Sequence, residues 1–94
     1  MFILTADRKT IVDTSFVERF CYIVHPDAVQ IIASYSADRF VTLGKYANRQ
    51  EADAAFSQLF RAVVNDEYFE MPDSVLWNEE RRKHDARTAR KGGS

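Results

Sequence analysis

The chain is poor in the residues that mark specialised classes of protein. One cysteine, Cys21, among 94 residues excludes an intramolecular disulfide and fits a reducing compartment. Three glycines, Gly44 and the Gly92-Gly93 pair, leave no Gly-rich loop to cradle a phosphate. Gly44 reads instead as a backbone turn between a strand and a helix. Two histidines, His25 and His84, do not combine with Cys21 in the close paired spacing of zinc ligands, so neither a metal nor another cofactor is expected. No apolar run approaches the roughly 18 residues of a membrane span. Met1-Phe2-Ile3-Leu4-Thr5 lacks a basic leader and a small-residue cleavage site, so it is not expected to be a signal peptide. The cytoplasm is the expected location, with no membrane partner.

What is present is ordinary globular material: 46% hydrophobic and 29% charged residues, with seven Phe and four Tyr. The net charge of −1 hides an asymmetry. Residues 1–73 carry 11 acidic and 7 basic side chains, whereas residues 74–94 carry 3 and 6. The expected organisation is a single α+β domain over 1–73 followed by a basic helical or flexible extension over 74–94.

Within the domain, Phe2–Thr5 and Thr10–Asp13 are short apolar runs around the polar Ala6-Asp7-Arg8-Lys9, the pattern of a hairpin. Phe16–Val24, Val29–Tyr35 and Phe40–Leu43 are rich in β-branched and aromatic residues and are separated by short turns. They predict an antiparallel meander. Ala52, Ala55, Phe56, Leu59, Phe60 and Val63 then recur with helical spacing as one apolar stripe. Asn48 and Glu51 fit a capping box at its start, and Asn65-Asp66 a stop. The predicted fold is a bent antiparallel sheet of four or five strands covered by one amphipathic helix.

No constellation nominates a catalytic residue. His25-Pro26-Asp27 spells the tripeptide of J-domain co-chaperones, but strand-like segments flank it, and a turn explains it better. His84-Asp85 lies in a charged tail, and Cys21 on a strand reads as a small core hydrophobe. A protein without enzymatic activity is expected.

Two segments read as binding surfaces. In the first, Glu67, Tyr68, Phe69, Glu70, Met71 and Asp73 place aromatic and apolar anchors in an acidic rim, with Trp77 close behind. The bland alternative is a solvated edge, with Trp77 docked on the body. In the second, Arg81, Arg82, Lys83, Arg87, Arg90 and Lys91 form a basic arm able to bind nucleic acid.

Three stretches in order carry a resemblance: Ile3-Leu4-Thr5 with Asp7 and Ile11-Val12-Asp13; Leu43-Gly44-Lys45-Tyr46 running into Glu51-Ala52; and Tyr68-Phe69-Glu70-Met71-Pro72. Together, over residues 1–73, they resemble a group of small uncharacterised proteins of bacteriophages and mobile elements of Gram-positive bacteria. The resemblance brings no functional residue with it. It implies a protein that binds a host protein complex inside the bacterial cell, such as a CRISPR effector, as anti-CRISPR inhibitors do. A thin core and edge aromatics also allow a homodimer.

Overall fold

The structure, a computed structural model, describes residues 1–74, 76 and 77. Six strands and one helix follow in the order β1 Phe2–Leu4, β2 Ile11–Asp13, β3 Arg19–Val24, β4 Val29–Ser34, β5 Phe40–Tyr46, α1 Arg49–Asn65 and β6 Phe69–Glu70. The class is α+β, as the patterning implies. The single bent sheet is corrected to two three-stranded sheets, β2-β1-β6 and β3-β4-β5.

The first sheet starts from a local turn. Thr5 Oγ1 donates to Asp7 Oδ1 at 2.6 Å, Asp7 accepts the Lys9 N–H, and the Thr5 N–H reaches the Thr10 carbonyl at 2.9 Å. Arg8 occupies the left-handed region, φ 62°, which these side-chain bonds help to hold. The partner on the other side of β1 is β6, which returns after the helix and pairs in parallel, Ile3 with Phe69 and Leu4 with Glu70.

The second sheet is the predicted meander. His25-Pro26-Asp27 is its β3–β4 turn, with the His25 N–H on the Ala28 carbonyl at 2.8 Å. Phe16 is not in the strand: Thr14–Phe16 forms a short 3-10 turn capped by Asp13. Between β4 and β5 the register shifts, so that Ile31 faces Gly44 while Ile32 faces Thr42. Leu43 is the extra residue of this bulge. Its side chain is fully buried, and its carbonyl accepts the Ala6 N–H at 2.8 Å, tying the two sheets together.

Gly44 lies inside β5 and is not a turn. A Cβ there would meet the Tyr46 ring at 2.8 Å. The glycine is the space in which that ring lies, and the ring directs its hydroxyl to the Pro72 carbonyl at 2.8 Å.

Helix α1 begins where expected: Asn48 Oδ1 accepts the Glu51 N–H at 2.9 Å, and the Glu51 carboxylate takes the Ala47 N–H. It ends at Asp66, held left-handed at φ 52° with its N–H on the Ala62 and Val63 carbonyls. The buried stripe, however, is Ala52, Ala55, Leu59 and Ala62. Phe60 stays 64% exposed and Val63 38%, so their place in the core is corrected. Ile31, Leu43 and Tyr46 already fill the space above the sheet, and alanines let the helix approach it closely. The larger rings are displaced to the helix flank.

One core results, shared by both sheets and the helix, and it includes Ile3, Val12, Ile31, Leu43, Tyr46, Leu59 and Met71. Cys21 is only half-buried, because β3 is an edge strand. Among the described residues no helix is long and apolar enough to cross a membrane.

The rotation of α1 separates two neighbouring substitutions. Leu59→Ala is expected to cost about 2–5 kcal/mol in urea unfolding, as for a buried leucine. Phe60→Ala is expected to stay within about 1 kcal/mol in dilute solution. Equal losses would place the helix as the sequence stripe did.

Candidate partner-binding surface

The chain leaves α1 through the Asp66 cap, with the Glu67 N–H also bonded to the Ala62 carbonyl at 3.1 Å. The Met1 ammonium lies 3.5 Å from Asp66 Oδ1. The next residues are drawn along β1, and the Met71 N–H continues the ladder to the Leu4 carbonyl at 2.9 Å. Arg8 then clamps the segment. Its guanidinium donates to the Met71 carbonyl and to Asp73 Oδ1, both at 2.9 Å.

This anchoring divides the residues expected to bind. Met71 is fully buried in the core and cannot serve as an exposed anchor. Phe69 is half-buried against the same core. Asp73 is exposed but ion-paired with Arg8. Trp77 is half-buried on the body, and its backbone N–H donates to Ser74 Oγ at 3.2 Å. Ser74, one residue past the expected domain boundary, is itself buried and bonds the Lys45 carbonyl. Glu67, Tyr68 and Glu70 remain facing solvent, with Tyr68 56% exposed. The Tyr68 hydroxyl leans on Glu70 Oε1 at 3.4 Å. Partial desolvation, and then the Glu70 charge, raise its pKa. What survives of the acidic aromatic edge is one ring between two carboxylates at the entry to a short, tethered strand. The basic residues Arg81, Arg82, Lys83, Arg87, Arg90 and Lys91, with His84 and Asp85, lie outside the described residues.

Two apolar surfaces were missed. Phe20, Phe56, Leu59, Phe60 and Val63 line a groove of about 190 Å³ between β3 and the flank of α1. Beside it, Tyr22 meets Phe56 edge to face, with ring centroids 5.5 Å apart, and Arg49 lies over the Tyr22 ring. Elsewhere Phe16, Tyr35 and Phe40 gather around Asp38 and Arg39, with Phe16 74% exposed. A signal for the groove was present. The helix carries Ala52, Ala55, Leu59 and Ala62 beside Phe56, Phe60, Val63 and Val64, two adjacent stripes where one sheet face covers one.

Across the sheet from the helix, His25 Nε2 lies 2.9 Å from Gln30 Oε1, and Gln30 Nε2 donates to Thr42 Oγ1 at 2.7 Å. Among the described residues, no three His, Cys, Asp or Glu side chains converge as metal ligands. Comparison with known protein families, with curated proteins and with solved structures gave no match.

Tyr46 provides a pH test of the anchoring. Burial, reinforced by the negative charges of Asp73 and Glu51 and opposed by Arg8, pushes its hydroxyl well above the usual tyrosine range. A folded pKa above the unfolded value of about 10 means that stability is intact below that pH. It falls as pH rises beyond it, because the unfolded chain releases the proton first. Absorbance titration is expected to show Tyr46 ionising last, together with loss of structure. In Tyr46→Phe that tyrosine signal is absent, and neutral-pH stability drops by about 1 kcal/mol with the lost hydrogen bond.

Proposed function

We propose that this chain is a non-catalytic protein-binding module of phage or mobile-element origin. Its partner is a host defence complex, such as a CRISPR effector, which it blocks sterically. The observation that carries the reading is the exposed Tyr68 between Glu67 and Glu70, directly before a strand tied to the body by the β1 ladder and Arg8. A rigid aromatic with a polar tip gives contact area at small entropic cost. The surrounding carboxylates suit a basic partner surface. Complexes that handle nucleic acid present such surfaces to phosphates, and the excess of acid over residues 1–73 would steer association toward them. The resemblance of residues 1–73 to small phage proteins supports the same direction.

The competing reading, a nucleic-acid-binding accessory protein, rests on the positive balance of residues 74–94. A pull-down from host lysate, with nuclease and without, separates the two. The shortened comparison chain should end at Trp77, since Ser74 and Trp77 pack on the body. The expected result is a stoichiometric protein partner, insensitive to nuclease, whose recovery falls at least about tenfold with Tyr68→Ala, as for an interface hot spot. Recovery of nucleic acid alone, lost with residues 78–94 and steeply salt-dependent, would reject the inhibitor reading.

A further inference from the structure

The β3-β4-β5 sheet has two edges, and β5 is partly taken, its Leu43 and Lys45 carbonyls accepting from the Ala6 N–H and Ser74 Oγ, which leaves β3 as the open one. In the β3–β4 hairpin the hydrogen-bonded pairs alternate with non-bonded ones. The His25–Ala28 closure therefore assigns the bonded pairs to Ile23/Gln30, Cys21/Ile32 and Arg19/Ser34. Phe20, Tyr22 and Val24 then direct their backbone N–H and C=O groups outward, away from β4. Among the described residues those groups have no backbone partner. The other sheet exposes only short edges, three residues in β2 and two in β6. β3 runs six residues with no proline and one charge, Arg19. It lacks the devices by which soluble proteins blunt a free edge.

We infer that β3 pairs antiparallel with β3 of a second copy of this chain, joining two three-stranded sheets into one of six strands about a two-fold axis at Tyr22. The register follows from the outward groups. With Tyr22 opposite its own copy, Phe20 faces the second copy's Val24 and Val24 its Phe20. All three outward residues of each copy are satisfied. A slip toward the turn places Phe20 against Pro26, which has no N–H. A slip the other way places Val24 against Glu18, whose N–H is already on the Ser34 carbonyl at 2.8 Å.

Side chains agree with this register. Phe20, Tyr22 and Val24 share the face of their β4 partners Ala33, Ile31 and Val29, which is the helix side. The joined strands therefore carry the groove of Phe20, Phe56, Phe60 and Val63 to the axis from both copies. On the other face Cys21 and Ile23 lie opposite the second copy's Ile23 and Cys21, an apolar pairing made twice. Val24 is 61% exposed, Phe60 64%, Val63 38% and Ile23 38%. With the strand edge they offer roughly 500 Å² per copy, below the approximately 800 Å² of a standard interface. An interface of this size belongs to the weak, reversible class. A second copy is the occupant because the edge is complementary to itself in hydrogen bonding and in its apolar side chains.

Sedimentation velocity of the full chain from about 1 to 200 µM tests this, and Cys21 supplies a built-in reporter of register. In the register above Cys21 faces the second copy's Ile23 in a non-bonded pair with Cα atoms about 4.5 Å apart, a separation a disulfide can bridge. The two copies of Cys21 are about two residues out of step and too distant. Expected are a concentration-dependent dimer and a covalent dimer from Ile23→Cys under mild oxidation, with the unaltered chain crosslinking far less. Val24→Lys is expected to raise the dissociation constant about tenfold or more, two cross-strand pairs being lost. Should that variant fail to fold by circular dichroism, the Ile23→Cys crosslink decides. A chain that stays monomeric throughout would overturn self-pairing and leave the edge to a foreign strand. A dimer indifferent to Val24→Lys, with no crosslink from Ile23→Cys, would overturn it equally.

Discussion

The structure depends on how the end of β5 is used. Its bulge gives Leu43 two roles, a side chain in the core and a carbonyl for Ala6. Immediately beyond, Lys45 and Tyr46 receive the chain that returns after the helix, through Ser74 and the Pro72 carbonyl. The joint of the two sheets and the anchor of the 67–77 segment are thus one place. In a chain this small, with a core that buries only a modest share of its surface, such sharing lets short strands of two and three residues hold their positions. A strand pair of that length has little stability alone.

The same economy explains where apolar surface is left over. Alanines bring α1 close to β4 and β5, and Tyr46 and Leu43 fill what space remains. Among the described residues, nothing then covers the outer flank of the helix or the far side of β3. Phe60 and Val64 are exposed for this reason, and Phe20 and Tyr22 are only half covered. Exposed apolar surface of this kind marks interaction sites when it is contiguous. Here it adjoins an unpaired strand edge, so backbone bonding and side-chain burial are available to the same incoming strand. Tyr68, just before the short β6 of the other sheet, is chemically different: one ring in an acidic setting.

The candidate site was legible in part. Glu67, Tyr68 and Glu70 could be found because charge alternating with an aromatic before a proline has few core interpretations. Met71 could not be separated from them by sequence, since its burial comes from the parallel pairing of β6 with β1, more than 60 residues away. Arg8 was read as a turn residue, yet it reaches Met71 and Asp73 across the same distance. Trp77 docks on the body, the blander of its two readings.

Local chemistry by itself determined the hairpin turn at 5–10, the meander, the caps at Asn48 and Asp66 and the α+β class. Each is set by interactions within a few residues or by periodicity. Tertiary structure decided the division into two sheets, the parallel return of β6, the rotation of α1 and the edge left free. Those depend on which bulky side chain claims a shared volume first, and on which distant backbone satisfies an open ladder. Gly44 shows the difference most plainly: an isolated glycine suggests a turn, and only the folded chain lays the Tyr46 ring across it.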